Sequence, residues 1–148
     1  MKYPLLPALA LLLGACSPGN DTTSEPDLDR LRGQWVVINY WAQWCKPCIK
    51  EIPELNTLDQ KYPQVTVLGV NYDGATGEDL AAQLAKLGIE FSTLTTDPAG
   101  QLGASRPEVL PTTLILDPTG QLSATLVGPQ NLASLAQATG QTAEPSTP

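Results

Sequence analysis

Apolar residues follow two different rhythms along this chain. Trp35 to Tyr40 (W-V-V-I-N-Y) and Val65 to Val70 (V-T-V-L-G-V) are nearly continuous β-branched and aromatic runs, the pattern of strands buried on both faces. Between them Ile49, Ile52, Leu55, Leu58 and Tyr62 recur every three or four residues, which predicts an amphipathic helix from about Lys46 to Lys61, kinked at Pro53. Leu80, Leu84 and Leu87 follow Glu78 at the same spacing and predict a second helix that stops at Gly88. Phe91 to Thr95 is a candidate short strand. Thr112 to Leu116 and Leu122 to Val127, joined by Asp117-Pro118-Thr119-Gly120, read as a hairpin, and Asn131 to Ala138 as a last helix with Leu132 and Leu135 inward. This order predicts an α/β fold: a mixed central β-sheet with helices on both faces and a right-handed crossover between the first two strands.

The two ends break the pattern. Lys2, the apolar run Leu5 to Leu13 and then Leu13-Gly14-Ala15-Cys16 have the order of a secretory signal over residues 1–15, and the run is too short for a bilayer-spanning helix. The Leu-Gly-Ala-Cys ending resembles the bacterial lipobox, which implies acylation of Cys16. Two or three acyl chains, at ~0.8 kcal/mol per buried methylene, would hold the protein at a membrane. Residues 16–27, rich in Ser, Pro, Gly, Asn, Asp and Thr, then form a flexible tether, and Gln141 to Pro148 (Q-T-A-E-P-S-T-P) is expected to be disordered. One folded domain of residues 28–140 remains. Ser17 after the cysteine would suggest outer-membrane sorting in a Gram-negative host.

Charge and composition narrow the chemistry. A formal net charge of −7 leaves no electrostatic footprint for nucleic acid, so DNA or RNA binding is not expected. The absence of histidine excludes His-ligated metals and His-dependent triads, and three cysteines are too few for a Cys₄ zinc or iron-sulfur site, so no metal is expected. With Cys16 assigned to lipid, Cys45 and Cys48 are the remaining thiols, in a compartment where disulfides persist.

Cys45 and Cys48 lie in W-C-K-P-C, directly after the first strand and opening the first helix. That position gives the chemistry a direction. Unpaired N–H groups and the macrodipole at a helix start favour an anion, here the Cys45 thiolate, and each unit of pKa depression corresponds to about 1.4 kcal/mol. Cys45 is the predicted nucleophile. Cys48, one turn on, is the predicted resolving thiol, and the redox-active pair is the only cofactor-like group expected. Pro47 suits the first turn, and Lys46 adds a positive charge close to the thiolate.

Val36-Val37-Ile38-Asn39-Tyr40-Trp41-Ala42-Gln43-Trp44-Cys45-Lys46-Pro47-Cys48, the continuation to Leu55, and Val109-Leu110-Pro111-Thr112-Thr113-Leu114-Ile115-Leu116-Asp117 with Gly120 together resemble the thioredoxin superfamily, and within it the TlpA/ResA-like envelope reductases. The resemblance implies a thioredoxin-like fold, a cis Pro111 beside Cys45, and a Leu110 backbone free to pair with an extended substrate. Trp44 would supply part of an apolar, substrate-facing rim. Thioredoxins proper carry a buried Asp where this chain has Asn39, which cannot titrate. The related branch often has a Glu soon after the second cysteine, and Glu51 matches it. Glu51 is therefore expected to be partly buried and to move the Cys48 proton. Gln43 and Lys46 depart from the branch and bear on the redox potential.

The function implied is thiol-disulfide oxidoreduction in the bacterial envelope, facing the periplasm. The expected direction is reduction of disulfides in exported proteins by a monomer fed by a membrane-bound, thiol-reducing electron donor. Three alternatives stand beside it. A disulfide oxidase or isomerase would be expected to carry a residue such as His before Cys48, where Pro47 stands. A peroxiredoxin-like peroxidase would need Thr-x-x-Cys around Cys45, which is absent. A non-catalytic, lipid-anchored module would keep Cys45–Cys48 as a permanent structural bridge.

Overall fold

The computed structural model describes residues 26–142. The signal segment, Cys16 and all but the last two tether residues lie outside that range, as do residues 143–148. A 3-10 helix at Leu28–Leu31 leads into β1 (Trp35–Trp41), α1 (Lys46–Lys61), β2 (Val65–Asn71), α2 (Gly77–Leu87), β3 (Ser92–Leu94), β4 (Thr112–Leu116), β5 (Leu122–Val127) and α3 (Leu132–Ala138). The five strands form one mixed sheet in the order β3-β2-β1-β4-β5. β1 and β2 are parallel, as are β2 and β3, whereas β4 runs antiparallel to both β1 and β5. The fold is thioredoxin-like.

Alternation along β1 divides the core. Val37 faces Leu55 and Leu58 of α1 and Leu135 of α3. Val36, Ile38 and Tyr40 face the other way, packing with Leu68, Val70, Leu94, Leu114 and Leu116. Both sides of the central strands are thus apolar, which is why their sequences run without polar alternation. α2 sets Leu80, Leu84 and Leu87 against Trp41, Cys45 and Cys48, close to the C-terminal end of β1. On the opposite face the cover comes from the 3-10 helix, through Leu28 and Leu31, and from Leu102, Ala104 and Leu110 of the irregular segment before β4.

Local signals fix the element ends. α2 stops at Gly88, whose φ of 66° is left-handed, and Asn131 caps α3 by accepting the Ser134 N–H at 2.9 Å while the Ser134 hydroxyl accepts the Asn131 N–H. α1 runs unbroken through Pro53. Gln141, which composition places in a disordered tail, instead donates its backbone N–H to Ala136 O at 2.8 Å, closing the end of α3.

Three connections leave the sheet at one end, because Trp41 pairs with Asn71 and Tyr40 with Thr112. They are residues 42–45, residues 72–76 and the segment that ends at Pro111. The candidate site is built there.

Candidate active site

Cys45 is the N-cap of α1. Its backbone is extended (φ −85°, ψ 97°), and its sulfur accepts the Cys48 N–H at 3.3 Å. Pro47 occupies the first turn, where a missing N–H removes no helix bond. A disulfide joins Cys45 to Cys48 with a Cα–Cα distance of 5.3 Å. Cys45 is 5% exposed and Cys48 2%, so the first cysteine is only slightly the more accessible residue. Lys46 is exposed.

Glu51 lies one turn beyond Cys48 on the buried face of α1 and is 1% exposed, deeper than its sequence position predicts. Its Oε2 accepts the Asn39 amide at 3.2 Å and its Oε1 accepts the Gln130 backbone N–H at 3.1 Å. Asn39 also donates to the Thr113 hydroxyl at 3.0 Å, across the β1–β4 register in which the two residues are directly paired. Burial pushes the Glu51 carboxyl up from 4.5 to about 7, and the hydrogen bonds from Gln130 and Asn39 hold it back from rising further. A carboxyl that titrates near neutrality, one helical turn from a cysteine, has the proton affinity of a general base.

Leu110–Pro111 is a cis peptide, and Leu110 packs against the cluster that holds Cys45 and Cys48. The Gly128 N–H bonds Pro111 O at 2.9 Å, which ties this turn to the end of β5. Trp44 is 61% exposed, and its indole N–H is held by Asp73 at 2.9 Å. Trp41 is fully buried beside the disulfide. The structure therefore brings Trp44, Cys45, Cys48, Glu51, Leu110 and Pro111 to one end of the sheet. Among the described residues no group of three or more Cys, Asp or Glu is arranged to hold a metal ion.

Sequence reasoning missed the partners. Gln130 acts through its backbone, so its identity carries no signal. Asp73 and Thr113 become partners only through the connection between β2 and α2 and through the β1–β4 register. Asn39 could be singled out in sequence only as a position that does not titrate, and its amide proves to be a donor to the group that does.

A helix-capping C-x-x-C disulfide on this sheet, with the residue before a cis proline packed against its cluster, defines a thioredoxin-like domain. The chain belongs to the AhpC/TSA family, whose sequence model matches residues 11–125. It is 31% identical over 111 residues to the thiol-disulfide oxidoreductase ResA of Bacillus thuringiensis, covering 74% of this chain and 64% of the relative. It is 32% identical over 77 residues to the thiol:disulfide interchange protein HelX of Rhodobacter capsulatus, covering 52% of this chain and 42% of the relative. The matches thus span less than two thirds of these relatives' lengths. Among solved structures it is similar to a putative thiol:disulfide interchange protein DsbE from Chlorobium tepidum, with TM-score 0.61, 31% identity and coverage of 75% of this chain and 81% of that one. A secreted thiol-disulfide isomerase from Corynebacterium glutamicum superposes with TM-score 0.64 at 27% identity, covering 76% and 72%.

Proposed function

We propose that this protein is a thiol-disulfide oxidoreductase of the bacterial envelope that reduces disulfides in exported proteins. The observation that carries the reading is the Cys45–Cys48 disulfide at the start of α1 with the buried carboxyl of Glu51 one turn further along. The similar proteins named above, thiol-disulfide oxidoreductases and interchange proteins, support the same chemistry. Ala42 stands three residues before Cys45, where a peroxidase of the Thr-x-x-Cys type would place threonine.

In the reduced protein the Cys45 thiolate, favoured by the helix N-terminus, attacks one sulfur of a substrate disulfide. A mixed disulfide forms, the substrate S–S bond breaks, and the first substrate sulfur leaves as a thiolate that takes up a proton. Glu51 then accepts the Cys48 proton. The Cys48 thiolate attacks Cys45 Sγ, forming the Cys45–Cys48 bond and releasing the second substrate thiol. Two electrons have passed to the substrate, and a membrane-bound dithiol donor returns them. Trp44, Leu110 and Pro111 form the contact surface for an extended substrate segment. No bound cofactor is required beyond the cysteine pair.

The segment ending at Cys16 is proposed to anchor the protein by lipid to a membrane whose periplasmic side it faces. No helix among the described residues is long and apolar enough to cross a membrane. The domain is proposed to act as a monomer.

Replacing Cys48 by Ala in the native host tests the central step. Proteins should accumulate as mixed disulfides on Cys45, and the trap should vanish when Cys45 is also replaced by Ser. Trapping nothing would overturn a protein-disulfide substrate. A redox titration fixes the direction: a potential close to about −120 mV, the strongly oxidising end of the range, would overturn the reductase reading.

A further inference from the structure

Two side-chain contacts tie together the three segments that surround the disulfide. Trp44, next to Cys45, is held by Asp73 in the β2–α2 connection. One residue earlier in that connection, Tyr72 is clasped by Arg106, which comes from the segment leading to the cis proline. The Arg106 guanidinium stacks over the Tyr72 ring at 4.1 Å from its centre and also donates to the Tyr72 carbonyl. Arg106 is itself half-exposed, and its contacts lead back into the fold. It pairs with Asp97 at 3.3 Å, and Asp97 accepts the Tyr40 hydroxyl at 2.6 Å and the Ala99 N–H at 2.9 Å. Tyr40 is fully buried in β1, one residue from Trp41.

This arrangement is more specific than a surface ion pair. The planar guanidinium uses one face for an aromatic ring and its edges for a carbonyl and a carboxylate, a combination an ammonium cannot reproduce. It also connects the two walls expected to touch a substrate: Trp44 by way of Asp73 and Tyr72, and Val109-Leu110-Pro111 by way of Arg106 itself. The two sulfurs do not enter this set of contacts.

We propose that Arg106 is a positioning residue for protein substrates. It fixes the segment carrying Leu110 and Pro111 relative to the Trp44 wall, and so sets how well an extended polypeptide seats before its disulfide reaches Cys45. The inference rests on the reductase reading and deepens it. Small disulfides, which need no such seating, should be indifferent to Arg106.

The test measures reduction of a protein disulfide, insulin, and of a small disulfide, hydroxyethyl disulfide, by the full chain, with the redox potential determined in parallel. Arg106→Met should raise KM for insulin roughly three- to tenfold, the range of one lost cation–π and ion-pair contact, and leave kcat within about twofold. Its rate with hydroxyethyl disulfide and its potential should be unchanged. Arg106→Lys, which keeps the charge towards Asp97 but not the stacked plane, should fall between. Tyr72→Leu, which leaves the Asp97 pair intact, should reproduce the rise in KM.

An unchanged insulin KM in Arg106→Met would overturn the proposal. So would an equal loss with both substrates, which marks general damage to the fold. If Arg106→Met does not fold, Arg106→Lys and Tyr72→Leu decide, and normal insulin kinetics in both would overturn it. Failure of the unaltered protein to reduce either disulfide would instead remove the reductase reading on which the proposal rests.

Discussion

Glu51 concentrates the chemistry of the site in one side chain. Two N–H donors, from Asn39 and Gln130, favour its anion, while nearly complete burial disfavours it, and burial has the larger effect because the carboxyl still rises to about 7. On the proposed mechanism that balance lets Glu51 take the Cys48 proton at neutral pH and return it. The expected outcome for Glu51→Gln is a slower release of substrate from the mixed disulfide, on the order of a hundredfold near pH 8. In the unaltered protein that step should accelerate as pH rises through about 7, when the carboxylate forms, and the variant should lose this inflection. Rapid-quench measurement of mixed-disulfide decay between pH 5 and 8 checks it. Equal pH profiles in the two proteins would show that Cys48 loses its proton elsewhere.

Of the described glycines, Gly69 in β2 is the most tightly enclosed. A methyl group there would stand 2.9 Å from Trp41 Nε1, 3.0 Å from the Thr93 hydroxyl and 3.1 Å from the Phe91 ring, atoms contributed by β1, by β3 and by the residue just before β3. Gly69→Ala should therefore destabilise the domain by about 1–3 kcal/mol through overpacking, seen as a lower urea midpoint at unchanged m. Element positions were largely legible in sequence because burial on both faces leaves uninterrupted runs, as in β1 and β2, and burial on one leaves a helical period, as in α1 and α2. The short β3 was legible only as a candidate, since three residues carry little periodicity. The segment between β3 and β4 was not legible before Val109. Pro98, Gly100, Gly103 and Pro107 interrupt any repeat, and its order depends on Asp97 and Arg106 finding partners 34 to 57 residues away. The same division holds for the site. Cys45 and Cys48 announce themselves by spacing and position, Glu51 and Pro111 through the stretches that resemble the thioredoxin superfamily, while Gln130, Thr113 and Asp73 are chosen by tertiary geometry.

For the molecule as a whole, the raised Glu51 carboxyl links folding to pH. Between the unfolded value of 4.5 and the folded value of about 7, the native state holds more protons at this position than the unfolded chain. Stability from this group is therefore fully present below pH 4.5, declines as pH rises, and is spent by about pH 7, a change of up to about 3 kcal/mol. Urea denaturation of the unaltered protein and of Glu51→Gln across that window should show the difference between them closing or reversing as pH rises, because only the former carries the slope. Parallel curves would place the carboxyl nearer its ordinary value. The Gln130 amide gives this proton an outward sign. It bonds Glu51 Oε1 at one end and stands two residues before the first turn of α3 at the other, where the Leu132 N–H in turn bonds Glu54. Protonation in the interior is thereby written onto a backbone nitrogen at the half-exposed rim, so the ¹⁵N resonance of a single residue, remote from both sulfurs in sequence, doubles as an internal pH electrode for the redox cycle.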